Sequence, residues 1–146
     1  KAVKNFAESH PNVFFFYPYH PNPNVLKAIE SVDLKSTKNI FMTKPIAYKE
    51  MVYLLLNASW VATDSGGIQE EAVSLNKHVL VLREKTERPE GILTGLAHLV
   101  GTDSVKIKKM MEKLTSNSYN ASNNFTNVYG DGYAAEKIVS ICEKKW

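Results

Sequence analysis

Cysteine is nearly absent from this chain, since Cys142 is the only one among 146 residues. No disulfide can form within the chain, and cysteines cannot supply a zinc site. The lack of paired cysteines favours a reducing compartment, the cytoplasm. Cys142 lies in an apolar helical stretch with Ile138, Val139 and Ile141, and this pattern predicts a buried, unreactive thiol.

Long apolar runs and strong charge are also lacking. No run is long enough to cross a membrane, and no signal peptide is visible. The formal net charge is only +3, and the densest basic cluster, Lys106, Lys108 and Lys109, is typical of a solvated helix face. We therefore expect neither a membrane nor a nucleic acid as partner. Because the sequence begins at Lys1 and not at methionine, we expect a fragment of a longer protein.

Strand-like apolar runs alternate with helical patterns along the chain. This alternation predicts an α/β fold of Rossmann-like type, with a parallel sheet and helices on both faces. The predicted strands are 13–17, 40–42, 60–63, 79–82 and 99–100. The predicted helices include 25–31, 48–58, 68–75, 103–114 and a last one ending near 142, and 116–127 is predicted to be an irregular loop. The first run is continuously apolar, which predicts a strand buried on both faces.

The most informative segment is 62–71, where a predicted strand ends in small residues and a helix begins. The first N–H groups of a helix have no internal partner, and the helix dipole is positive there. Gly66 and Gly67 let an anion approach the backbone, and the Ser65 hydroxyl can donate as well. The pattern predicts a phosphate-binding turn, although a capped turn without a ligand fits these residues equally well.

Glu70 and Glu71 follow in the first turns of the same helix. Adjacent helical residues point about 100° apart, so at most one of the two carboxylates faces the turn. That carboxylate is suited to accept hydrogen bonds from a ribose diol. A favourable interaction with the helix dipole explains the pair as well.

Two other segments follow predicted strands, and ligands of open α/β sheets bind at the carboxyl ends of strands. Segment 83–91 offers Arg83 and Arg88, either of which could face a diphosphate. Segment 18–23 offers His20, which neighbouring prolines hold in place and which can donate to a phosphate. A solvated charged loop and a structural histidine are the alternatives that these residues leave open. The histidines have no spacing typical of a metal site.

These three segments occur together with Tyr-Gly-Asp-Gly at 129–132. The combination resembles the C-terminal half of the bacterial non-hydrolysing UDP-N-acetylglucosamine 2-epimerases, over essentially the whole chain. Segments 63–71 and 86–90 are its most specific parts. The resemblance implies a single UDP-binding domain over 1–146, the C-terminal one of two Rossmann-like domains that face a cleft as in GT-B glycosyltransferases. The N-terminal catalytic domain is then absent from this chain.

The resemblance also implies an activity. Family members are isomerases that convert UDP-N-acetylglucosamine to UDP-N-acetylmannosamine by anti elimination and re-addition of UDP, with no cofactor or metal. Their acid and base carboxylates belong to the N-terminal domain, so we expect no catalytic residue here and no activity from this chain alone. The implied substrate-binding residues are Ser65, Gly66 and Gly67 for the diphosphate, Glu71 for the ribose hydroxyls, and Arg88 and His20 along the cleft. The setting implied is cytoplasmic biosynthesis of cell-surface polysaccharide, by an enzyme that can be a homodimer.

The chain departs from the family pattern in further places. A segment similar to His-Arg-Arg-Glu, which opens the second domain of family members, is absent before Lys1. Met51 stands near the position where some members have a phenylalanine beside the uracil, so the uracil contact stays open. The alternatives are an epimerase of a related UDP-diacetamido uronic acid, a GT-B glycosyltransferase donor domain, and a non-catalytic nucleotide-binding module. Segment 86–90 favours the epimerases over the transferases.

Overall fold

The structure is a computed structural model that describes residues 1–116 and 127–144. Five short strands alternate with helices along this part of the chain. The strands are β1 Phe15–Pro18, β2 Ile40–Thr43, β3 Trp60–Thr63, β4 His78–Val81 and β5 Ala97–Leu99. The α-helices are α1 Ala2–Ser9, α2 Pro23–Ser31, α3 Tyr48–Asn57, α4 Gly66–Ser74, α5 Pro89–Leu93, α6 Ser104–Thr115 and α7 Ala134–Glu143, with a 3-10 turn at Leu34–Ser36. The predicted loop at 116–127 lies almost wholly outside the described residues.

All the strand pairs are parallel, as the sequence predicts. β1 pairs with β2, and β3, β4 and β5 form a second ladder with β4 at its centre. The ring of Phe15 in β1 meets the ring of Trp60 in β3 edge-on, with centroids 5.7 Å apart. This contact brings the two ladders side by side.

The centre of the sheet is covered on both faces, because alternate residues of β4 enter two different clusters. Val79 and Val81 pack with Leu55 of α3 and Val73 of α4. Leu80 packs on the other face in a second cluster that joins α1 to α6 and contains Phe6, Val100, Ile107 and Met111. A strand buried on both faces reads as a continuous apolar run, and β4 is the strand that meets this description.

The prediction that the first strand is buried on both faces is wrong. Phe15 faces the α1 cluster, but the side chains of Phe14 and Phe16 are 63% and 59% exposed. Phe16 stacks only on the ring of Phe41 in β2, at 5.3 Å. The helices that cover β3 and β4 on this face do not reach the outer pair of strands.

The prediction for Cys142 is also wrong. The thiol is exposed, and α7 buries none of its residues. Its apolar residues Ile138, Val139 and Ile141 are exposed as well, because no element in the described part of the chain packs on them. An amphipathic pattern predicts a helix with an apolar side, but it does not supply the surface that covers that side.

Two expectations about the surface can be compared with the structure. Lys106, Lys108 and Lys109 are exposed on α6, as predicted. Among the described helices, none has both the length and the apolar character that a membrane crossing requires.

Two histidines lie next to each other in the sheet. Nδ1 of His78, the first residue of β4, is 3.2 Å from Nε2 of His98 in β5, and the rings stack. Burial, with the nearby charges of His78 and Lys113, lowers the pKa of His98 to about 4. Burial also lowers the pKa of His78. The fold therefore favours the neutral form of both rings.

This pair predicts a loss of stability in mild acid. An unfolded histidine has a pKa of about 6.5, so the stabilisation is fully present above that pH and is lost as the pH falls toward the folded value. We expect His98→Asn to make the drop in unfolding free energy between pH 7 and pH 5 smaller by about 1 kcal/mol, allowing for solvent screening of a half-buried ring. Denaturant melts at the two pH values measure this.

The control is His20→Asn, because His20 is exposed and lies outside the pair. It should leave the pH dependence of the parent chain unchanged. An equal drop in the His98→Asn variant and in the parent would contradict the assignment.

Candidate functional site

The site begins where β3 ends and α4 starts. The Ser65 backbone is extended, with φ −78° and ψ 128°, and the helix begins at Gly66 rather than at the predicted Ile68. Thr63 shapes the turn, because its Oγ1 accepts from the Ser65 N–H at 3.0 Å. Gly66 and Gly67 are therefore the first two residues of the helix, where the amides point outward.

Those two amides have no internal acceptor. The Ser65 hydroxyl caps the helix by accepting from the Ile68 N–H at 3.5 Å, and no described residue accepts from Gly66 or Gly67. The start of α6 is different, since the carboxylate of Asp103 accepts from two of its amides, at 2.8 and 3.2 Å. The start of α4 thus offers free donors and a positive dipole end to an anion. We call Ser65, Gly66 and Gly67 the anion cradle.

The two glycines of the anion cradle have different surroundings. A Cβ on Gly67 would meet nothing within 4 Å, so the space above this amide is open. A Cβ on Gly66 would lie 3.5 Å from Nη2 of Arg88. Arg88 thus brings segment 83–91 next to the turn.

Arg88 is fixed by the acidic residues around it. Its Nε donates to Oε1 of Glu70 in α4, and its Nη1 lies 3.9 Å from Oε2 of Glu87. The hydrogen bond and the charge of Glu70 raise the pKa of Arg88 further. Arg83 pairs with Glu87 at 3.7 Å instead. Of the two candidate arginines, Arg88 is therefore the one beside the anion cradle.

Glu70 and Glu71 have different surroundings, as their angular separation predicts. Glu70 binds Arg88, whereas Glu71 is half-buried and its Oε2 has no hydrogen-bond partner among the described residues. A buried, unpaired carboxylate oxygen is unfavourable unless a donor is supplied. Glu71 is thus available to a hydroxyl-bearing ligand.

His20 lies near the same edge of the sheet but is exposed, and no described contact joins it to the anion cradle. Burial, with a smaller contribution from the charge of Asp64, raises the pKa of Tyr17 in β1. The structure therefore brings Arg88 to the anion cradle, beside Gly66, and does not bring His20 there.

Segment 83–91 is not a loop throughout. Residues Pro89–Leu93 form the short helix α5, with proline at its start. A Cβ on Gly91 would lie 2.9 Å from the Tyr129 hydroxyl oxygen and 3.3 Å from Cβ of Ala97. Tyr129 thus packs beside the arginine segment, and only the Tyr-Gly-Asp-Gly motif gave a sequence signal for it.

Met51 has a structural role here. It is partly buried and packs on the cluster that contains Leu55 and Val73.

Within residues 1–116 and 127–144, no group of three His, Cys, Asp or Glu side chains converges as metal ligands would.

The fold and the site together define a class. Parallel strands flanked by helices, with an open helix start at the end of β3, are the features of a Rossmann-like α/β domain of GT-B type. The chain belongs to the UDP-N-acetylglucosamine 2-epimerase family, whose model matches residues 1–143.

Individual relatives agree with this assignment. The UDP-N-acetylglucosamine 2-epimerase of Campylobacter jejuni is 42% identical over 146 residues, which are 99% of this chain and 38% of the relative. The Neisseria meningitidis epimerase bound to UDP-GlcNAc matches with a TM-score of 0.80 and 39% identity, over 98% of this chain and 40% of that one. The UDP co-structure of S. aureus MnaA matches with a TM-score of 0.90 and 35% identity, over 99% and 39%. The chain therefore spans about two fifths of the length of the relatives it matches.

The two glycine environments predict opposite effects of an added methyl group. Gly91→Ala should lower the unfolding free energy by about 1–3 kcal/mol, because the new Cβ overlaps the Tyr129 hydroxyl. Gly67→Ala should leave it unchanged or raise it by up to about 1 kcal/mol, because alanine favours a helix and meets open space. Denaturant unfolding of both variants tests this.

The double variant Gly91→Ala with Tyr129→Phe provides the control. Removing the hydroxyl should restore part of the lost stability. Equal losses in Gly91→Ala and Gly67→Ala would show that close packing is not what sets Gly91 apart.

Proposed function

We propose that this chain is the UDP-binding part of a UDP-N-acetylglucosamine 2-epimerase. The diphosphate binds at the anion cradle, with Arg88 beside it, and Glu71 accepts from the ribose hydroxyls. His20 lines the cleft from the end of β1. The substrate is supported by the names and bound ligands of relatives about 40% identical.

The observation that carries this proposal is the start of α4. Two glycine amides have no acceptor among the described residues, and the space at the Cβ position of Gly67 is open. The guanidinium of Arg88 lies 3.5 Å from the Cβ position of Gly66. An anion there gains amide donors, the helix dipole and an arginine at once. A nucleoside diphosphate has the charge and oxygen acceptors that this arrangement fits.

The proposed reaction needs groups on both faces of the sugar. Elimination of UDP requires a base at C2, and re-addition requires a proton on the opposite face. The carboxylates of this chain nearest the anion cradle include Glu70, Glu71 and Glu87, and all of them would lie on one side of the proposed cleft. We therefore propose that this chain binds the nucleotide and that a further domain supplies the acid and base.

Related activities are distinguished by different features. The family assignment favours an epimerase over a glycosyltransferase donor domain. The sugar is decided outside the anion cradle, so a UDP-diacetamido uronic acid is the second candidate substrate. The homodimer, the cytoplasmic location and the role in cell-surface polysaccharide synthesis are parts of the same proposal, and the near absence of cysteine supports the location.

Replacing Gly67 by valine tests the proposal. The branched side chain would fill the open space above the amide, so UDP binding should be lost while the fold persists. Isothermal calorimetry with UDP, and circular dichroism for the fold, measure this.

Ser104→Val is the matched control, because it places the same side chain at the start of α6, where Asp103 already caps the amides. UDP affinity should stay at the parent level. A folded Gly67→Val variant that binds UDP as well as the parent does would contradict the assignment of the anion cradle.

Glu71→Gln should weaken UDP more than it weakens 2′,3′-dideoxy-UDP. A hydrogen bond to a charged group contributes about 1.5–3 kcal/mol, so we expect roughly a tenfold or larger difference between the two ligands. Glu70→Gln is the control, because Glu70 contacts Arg88 and should affect both ligands equally. Equal losses for both ligands in Glu71→Gln would remove the ribose role.

A further inference from the structure

Gln69 is a buried polar residue that lies outside the anion cradle. Its side chain is 1% exposed, next in sequence to Glu70 and in the same helix as Val73. Its Oε1 accepts a hydrogen bond from the Thr86 hydroxyl at 2.9 Å. Its Nε2 is buried and has no partner among the described residues.

Thr86 links this amide to the backbone of Arg88. Its Oγ1 accepts from the Arg88 N–H at 3.1 Å, a local hydrogen bond between a side chain and the backbone two residues later. Because the oxygen accepts there, its own hydrogen is free to donate to Gln69. The result is a continuous path from α4 through Thr86 to the backbone of Arg88.

Arg88 is therefore attached to α4 at two points. Its guanidinium binds Glu70, and its backbone is held through Thr86 by Gln69. Gln69 and Glu70 are neighbours in the first turns of α4, the helix that carries the anion cradle. The backbone of Arg88 also ends the segment, since Pro89 begins α5. Two attachments on one rigid helix fix both ends of the arginine relative to the glycine amides.

Stability does not explain Gln69. A buried amide with an unpaired donor costs about 1–3 kcal/mol, and an apolar side chain of similar shape avoids this cost. Methionine has a similar length and flexibility and is suited to the same buried position. What methionine cannot do is accept the hydrogen bond of Thr86.

We propose that Gln69 and Thr86 are positioning residues, which hold the Arg88 backbone so that its guanidinium stays beside the anion cradle. The inference rests on the proposed function for the identity of the ligand, a nucleoside diphosphate. Neither residue touches the diphosphate. Their effect reaches it only through Arg88.

Thr86→Val and Thr86→Ser form a matched pair, because valine keeps the shape and loses the hydroxyl, whereas serine keeps the hydroxyl. In the ligand-free chain, the Arg88 amide should exchange with solvent about tenfold faster in Thr86→Val and at the parent rate in Thr86→Ser. UDP affinity should fall about tenfold in the valine variant and recover in the serine variant. Affinity for uridine, which has no phosphate, should be equal in both.

Gln69→Met separates positioning from stability. Its melting temperature should equal or exceed that of the parent, while UDP affinity falls as in Thr86→Val. Parallel losses of stability and affinity would assign Gln69 a purely structural role and overturn the inference. Equal exchange of the Arg88 amide in Thr86→Val and Thr86→Ser would overturn it as well.

The two levels of the proposal can fail separately. A parent chain that does not bind UDP would contradict the proposed function, while the amide exchange, measured without ligand, would still decide whether Thr86 holds Arg88. A parent chain that binds UDP, with uridine and UDP weakened alike by Thr86→Val, would leave the function standing and overturn the positioning role.

Discussion

The geometry of the site depends on the unpaired amides at the start of α4. They can face a ligand only because β3 and α4 are held firmly behind them. Val73 of α4 packs on Val79 and Val81 of β4, all fully buried. This packing fixes the helix start at the end of β3, where Arg88 lies beside Gly66. The core thus supplies the rigid support that an anion site needs.

The sequence predicts the order of elements well and their burial less well. Strands β2 and β3 and helix α3 lie close to their predicted bounds, because their apolar patterns are clear and Pro45 separates β2 from α3. The prediction of burial fails where burial depends on packing against elements far away in the sequence. Phe16 and Cys142 both lie in apolar runs, yet they are exposed because no described element covers them. A local sequence pattern indicates which side chains of a segment are apolar, but it does not show which other elements will cover them.

The candidate site divides in the same way. The anion cradle is local, so small residues between a strand and a helix suffice to predict a phosphate-binding turn, and the family resemblance favours this interpretation over an empty capped turn. The partners of Arg88 are not local. Glu70 is 18 residues away and Gln69 is 17 residues from Thr86, and no spacing rule connects them. The adjacent pair Glu70 and Glu71 was expected to split, but only the contacts show which one binds the arginine.

The ion pair between Glu70 and Arg88 leaves Arg88 able to bind a diphosphate. The donors of the guanidinium argue against competition, because its five N–H groups point in different directions. Nε donates to the Glu70 carboxylate, and Nη1 donates to the backbone carbonyl of Glu87 at 3.3 Å. Nη2, the atom nearest the Cβ position of Gly66, has no acceptor among the described residues. Arg88 can therefore keep Glu70 and still donate to an anion, and the carboxylate serves to aim the guanidinium at the anion cradle.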